Sequence, residues 1–233
     1  MSKKKTNHFA SFSGGLLAAL GYFAVIRPWY LNWGSSGFEN DITLPGDELM
    51  ASPKVIVNRS IQINASPENV WPWLVQIGYQ RAGWYSYDSL ENAVGAADFM
   101  DGHSSTRIIP ELQELKVGDA IPAAPAPYLK FDVIHMQKPE VIVLHALIHP
   151  FTGKNLDVEN FNSSVWLRQI WTFYLAETYD CKTHLIMRSR IDYGPKLLMN
   201  PVSWFAIEPA HFIMEQKMLK GIKMRAENFS SKK

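Results

Sequence analysis

The sequence predicts an α+β fold, a curved antiparallel sheet wrapped around a long C-terminal helix. Three observations predict it. Val55, Val57, Ile61 and Ile63 alternate with a period of two, as in a half-buried strand. Between Tyr128 and Tyr193, four strand-like segments form two pairs, each joined by a short polar turn. Near the end, Ile207, Met214, Met218 and Ile222 recur at helical spacing.

The N-terminal elements stand apart. Residues 1–8 form a basic tail carrying Lys3, Lys4 and Lys5. Residues 9–33 form a hydrophobic helix whose uncharged part, Phe9 to Ile26, is about 18 residues long, near the ~20 that cross a bilayer. Trp29, Tyr30 and Trp33 follow where an interfacial aromatic belt would lie. A single membrane anchor is the favoured reading. A cleavable signal peptide would share the basic start, but no A-x-A-like site follows. A helix packed on the body is the third reading. The lysines favour a cytoplasmic N-terminus and Arg27 opposes it, so the side of the body stays open. Residues 34–53, with "GSSG" and "LPGDE", read as a linker. One domain then spans 54–229.

Within it, "KVIVNRSIQIN" is the first strand, with Arg59 the odd member of its apolar face. Ser66 and Pro67 suit the N-cap and first position of a helix whose stripe is Val70, Trp73, Leu74 and Ile77. A short second helix runs from Asp88 to Val94, followed by a polar loop and a helical turn at Pro110. "YLKFDVIHM" and "EVIVLHALI" pair across "QKPE". "SVWLRQIWTFYLAET" and "THLIMRSRIDY" pair across "YDCK". The last helix covers Ile207 to Asn228, with Pro209 in its first turn.

Composition narrows the function classes. The chain has 233 residues, 47% of them hydrophobic, and balances 23 Lys and Arg against 22 Asp and Glu. No basic stripe interleaves with aromatics, so nucleic acid is not an expected partner. A lone cysteine, Cys181, can form no internal disulfide and leaves the compartment open. No G-x-S-x-G elbow, phosphate loop or dinucleotide fingerprint is present, which counts against hydrolase, kinase and dehydrogenase chemistry; no cofactor is expected. The supply of rings, 8 Trp, 9 Tyr and 12 Phe, suits a hydrophobic ligand cavity.

The strings "INASPENVWPWLVQIG", "GWYSYDSLEN", "RIIPELQELKVGD", "HLIMRSRIDY" and "EPAHFIMEQKMLKGIKMRAE" cover most of Val55 to Asn228. With the element order, they make the chain resemble the START-like or SRPBCC superfamily, of polyketide cyclase/dehydrase and lipid-transport type, in a membrane-associated bacterial branch. The resemblance implies a helix-grip fold with a cavity between sheet and C-terminal helix. It also implies a hydrophobic or amphipathic ligand. It fixes no activity, because fold does not determine function.

Several side chains are candidates. Asp88 and Glu91 have the spacing of an acid/base pair, but also that of an N-cap and N3 residue, and the capping reading is favoured. Trp84, Tyr85 and Tyr87 either line the cavity entrance or pack beneath the first helix. Trp171 and Phe173 share a strand face, and Met214 and Met218 a helix face, so these four are expected to line the cavity as well. His211 lies within the apolar stripe with Glu215 beside it. The pair is either a cavity acid/base or a satisfied buried histidine. Arg188 and Arg190 would anchor a headgroup on a concave face, but strand parity favours solvent. Arg81 reads as a solvated or helix-end charge rather than a ligand anchor. His145 and His149 lack a third ligand, and "EPAH" lacks the second E-x-x-H of a di-iron site, so no metal is expected.

The expected function is binding of a hydrophobic or lipid-like molecule at a membrane. The alternatives are a cyclase or dehydratase type of enzyme, using His211 with Glu215 or Tyr85 with Asp88, and a membrane-tethered interaction module without ligand. The oligomeric state is open.

Overall fold

The computed structural model describes residues 15, 17–93, 102–125, 128–158 and 162–231. The basic tail, the first part of the hydrophobic run and residues 94–101, where the short second helix was expected to end and the polar loop to begin, lie outside the described residues.

Six strands form one antiparallel sheet in the order β1-β6-β5-β4-β3-β2. They are β1 Val55–Ile63, β2 Ala120–Pro122, β3 Lys130–Gln137, β4 Val141–Ile148, β5 Trp166–Glu177 and β6 Thr183–Gly194. Both expected hairpins form. The helices are α1 (17–31), α2 Gly37–Asp41, α3 Pro67–Val75, α4 Asp88–Ala93, α5 Lys196–Val202 and α6 Glu208–Ser230. The long C-terminal helix α6 packs against β1 and α3, giving an α+β helix-grip arrangement.

Period-two alternation sorts the side chains. Arg59 is opposite Met187, Trp171 opposite Ser189, and Gln169 opposite Ile191, so these residues share the inner face toward α6. The main core gathers there, with Ile63, Phe173, Leu185 and Met187 meeting Leu219 and Ile222 of α6. α6 also runs close to the chain beside α4. A methyl group at Gly221 would lie 2.4 Å from the Tyr85 carbonyl oxygen, so only glycine allows that approach. Tyr85 itself has φ 57.

The last helix begins earlier than expected. It continues from α5 through a π-helical turn, Ser203–Ile207, into α6. Pro209 has no N–H for the carbonyl four residues back, and the widened turn sits just before it.

α1 also contains a π-helical turn, Tyr22–Ile26. No described helix is long and apolar enough to cross a membrane, so the expected spanning helix over 9–33 is not found among the described residues. The inner side of α1 is packed. Tyr22 stacks on Phe205 with centroids 5.3 Å apart, Trp29 and Tyr30 meet Phe212, and Tyr30 and Leu31 join the main core. Its other side exposes Leu17, Leu20, Val25, Ile26 and Trp29.

Residues 34–53, expected to be a linker, fold onto the outer face of the sheet. Ser36 and Glu39 make a capping box at α2. Met50 packs with Val141, Val143 and Ile170 in a second, smaller core. The expectation of solvated arginines is corrected here. Arg188 and Arg190 do lie on the outer face, but Arg188 is buried beneath this segment. Its guanidinium donates to Asn58 Oδ1, Asp47 Oδ2 and the carbonyls of Glu39 and Ile42. Arg190 donates to the Met50 carbonyl and to Asp47 Oδ1. Strand parity was right about the face; the cover comes from a segment with no apolar period of its own.

Candidate functional site

Between the inner face and α6 lies a cavity of about 310 Å³. Its walls are apolar: Trp84, Leu129, Phe131 and Trp171 on one side, Met214 and Met218 on the other. The rings form one cluster, with Trp84 stacked on Trp171 at 5.9 Å and Phe131 5.1 Å from Trp171. Period two brings Leu167, Gln169 and Trp171 of β5 to this wall, and Ala146 and Ile148 of β4 beside them. Among the lining residues, Ser86, Glu91, Gln169, His211 and Glu215 are polar.

Most of these polar groups are already engaged. Ser86 donates to the Met214 carbonyl, and Gln169 donates to Ser189 Oγ. Glu215 forms a buried ion pair with Arg59, whose Nε donates to the Tyr30 carbonyl and whose guanidinium lies over the Phe212 ring. Burial lowers the pKa of Arg59, but a guanidinium keeps its charge. The odd arginine of the first strand thus holds the floor of the cavity. His211 Nδ1 is 3.9 Å from Glu215 Oε1, too long for a hydrogen bond. The His211 side chain lines the cavity and is 41% exposed. Burial first, then the charge of Arg59, push its pKa down to about 4, so the imidazole is neutral near pH 7.

Glu91 is the exception. It is 1% exposed, lines the cavity and, among the described residues, has no hydrogen-bond partner at either carboxylate oxygen. Burial first, and the neighbouring Asp88 second, push its pKa up to about 7. The capping reading is therefore corrected. Asp88 lies inside the first turn of α4 and accepts from Ser104 Oγ at 2.9 Å, while Glu91 lines the cavity and accepts from no backbone N–H of the described residues. The Tyr87 carbonyl accepts the first backbone bonds of the helix, from Leu90 and Glu91.

Of the expected cavity residues, the structure brings together Trp84, Trp171, His211, Met214 and Met218. Three others are placed elsewhere. Tyr85 is buried, accepts from Gln76 Nε2 at 2.7 Å and lies under Arg225, so its hydroxyl faces the core and does not meet Asp88. Tyr87 is 41% exposed, with Lys217 over its ring. Phe173 is fully enclosed in the core further along β5. Arg81 caps the end of α3, donating to the carbonyls of Val75 and Ile77. His145 lies on the outer face and accepts from Arg168 Nε.

A second buried carboxylate ties α1 to α6. Arg27 donates twice to Glu208, at 2.7 and 3.0 Å, and the hydroxyls of Tyr30 and Ser203 donate to it at 3.1 and 2.8 Å.

No protein-family model matches the chain, and no curated protein matches it. Solved structures match the chain only at low identity. The chain is 15% identical to protein MLL2253 of Mesorhizobium loti, covering 75% of this chain and 98% of that one at a TM-score of 0.41. It is 12% identical to a hypothetical protein of Helicobacter pylori, covering 80% and 96% at 0.44. It is 10% identical to a norcoclaurine synthase point mutant of Thalictrum flavumn, in complex with a transition-state analogue, covering 76% and 96% at 0.38.

Proposed function

We propose that this protein binds a hydrophobic or amphipathic small molecule between its sheet and C-terminal helix, and does so at a membrane. The observation that carries the reading is the ring-walled cavity of about 310 Å³, within the ~300–1,000 Å³ usual for ligand pockets. Burial of apolar surface would drive binding at about 25 cal/mol per Å², with few polar groups setting orientation. The ligand-free alternative requires a filled interior, so the cavity counts against it. The membrane part of the reading is supported by the outer side of α1. Its exposed Leu17, Leu20, Val25, Ile26 and Trp29 share the α1–α5 end of the molecule with exposed Leu197, Leu198 and Phe205. The single-anchor reading of residues 9–33 belongs to the same proposal.

Nile red, a neutral apolar dye, tests the cavity. Its fluorescence should rise on binding and fall on displacement by a lipid extract. Ala146→Phe, which fills the cavity from β4, should abolish the rise while the far-UV circular dichroism stays native. An unchanged rise in that variant would place the dye elsewhere and sink the reading.

Turnover of cyclase or dehydratase type is favoured by one observation: a carboxyl titrating near neutrality faces the same cavity as a neutral imidazole. The proton-handling pair of that reading is Glu91 with His211. Glu215 is held by Arg59, and the Tyr85 hydroxyl is turned away.

A further inference from the structure

The charges around the cavity point to the kind of headgroup it takes. On α6, Glu215 faces inward but is neutralised by Arg59 of β1, and His211 is neutral. On α4, Asp88 is bound to Ser104 and lies 3.8 Å from His103. Lys217 lies over the outer ring of Tyr87. Glu91 remains, a buried carboxylate in the cavity wall with no partner among the described residues. Leaving such a group unpaired costs more than an average hydrogen bond contributes, so its presence in a ligand cavity calls for a donor from outside.

We propose that the cavity takes a cationic amphiphile, a protonated amine on an apolar body, whose ammonium pairs with Glu91. This rests on the ligand-binding reading above. An ammonium offers three donors and a charge to the two free oxygens. The rings of Trp84, Phe131 and Trp171 line the same space and would pack against the apolar body. A carboxylate or phosphate headgroup would meet a second negative charge, and Arg59, the cation paired with the cavity-lining Glu215, is already engaged. The Trp171 indole N–H, also unpartnered, is neutral and would not neutralise an anion.

Three probes with one chain and three headgroups test this: decylamine, decanol and decanoate, each below its aggregation threshold, titrated into the full-length protein by calorimetry. Decylamine is expected to bind most tightly at about pH 8, with decanoate weakest. Its affinity should fall about tenfold between about pH 8 and pH 6 as Glu91 takes up its proton, because the amine stays charged throughout. Glu91→Gln should weaken decylamine at least about tenfold at about pH 8 and leave decanol within about twofold. Decanol or decanoate binding as tightly as decylamine would overturn the amine assignment and leave the cavity reading standing. So would a Glu91→Gln protein that folds, by circular dichroism, and keeps its decylamine affinity. If none of the three probes binds, both readings fall.

Discussion

Glu208, at the junction of α1 and α6, and Glu91, in the cavity wall, are buried to nearly the same degree, at 3% and 1% exposure. Glu208 receives two bonds from Arg27 and one each from Tyr30 and Ser203, whereas Glu91 receives none from the described residues. A carboxylate with four charge-assisted or hydroxyl donors fixes the elements that supply them. A carboxylate with none is held in place by packing and keeps its acceptors for something else. The α1–α6 junction is thus tied by hydrogen bonds, and the cavity wall carries an acceptor that the proposed ligand would use.

The most severe way to break the closed junction is Arg27→Ala. It should cost about 3–5 kcal/mol, because it strands a buried charge that Tyr30 and Ser203 alone do not neutralise. Chemical denaturation would show it as a lower midpoint at unchanged slope. A loss below about 1 kcal/mol would mean that water reaches Glu208.

Glu91→Gln sharpens the other side and has the opposite sign. The folded protein keeps the Glu91 proton up to about 7, while an ordinary glutamate releases it near 4.5. Stability linked to the protonated form is therefore full below about pH 4.5 and lost as pH rises through about 7. The variant should gain about 1–3 kcal/mol over the parent at about pH 8 and little at about pH 4. Thermal melts across pH would read the crossing, and a gain of equal size at both ends would count against a titrating Glu91.

The smallest effect is expected at Tyr87, whose half-exposed ring stands outside the cavity. Tyr87→Ala should change stability by less than about 0.5 kcal/mol and leave Nile red binding as it was. A clear loss of binding would return Tyr87 to the entrance.

These differences follow what a single sequence can carry. Period-two alternation is a local signal, so the strands, their hairpins and the face of Arg188 were legible. Arg59 was visible as an irregularity, but its partner Glu215 is brought to it only by the fold. The α2 capping box, Ser36 with Glu39, was also readable, yet the surrounding turn residues masked it as a linker. Glu91 was weighed with Asp88 as an acid/base pair and set aside as a helix-start residue, because α4 has six residues, too few for periodicity to show which side meets the sheet. His211, Met214 and Met218 were legible as one face because α6 is long enough for its stripe to show.

The Arg27 clamp also bears on how this chain could be shortened or recombined. A tether can be trimmed, or exchanged for another of similar length, without consulting the domain it carries. Here the last turn of α1 supplies Arg27 and Tyr30 to Glu208 and a carbonyl to Arg59, and Arg59 in turn steadies the cavity floor. Cutting the chain at the apparent linker would remove part of the interior, and a graft would have to bring the same guanidinium, hydroxyl and carbonyl to the same places.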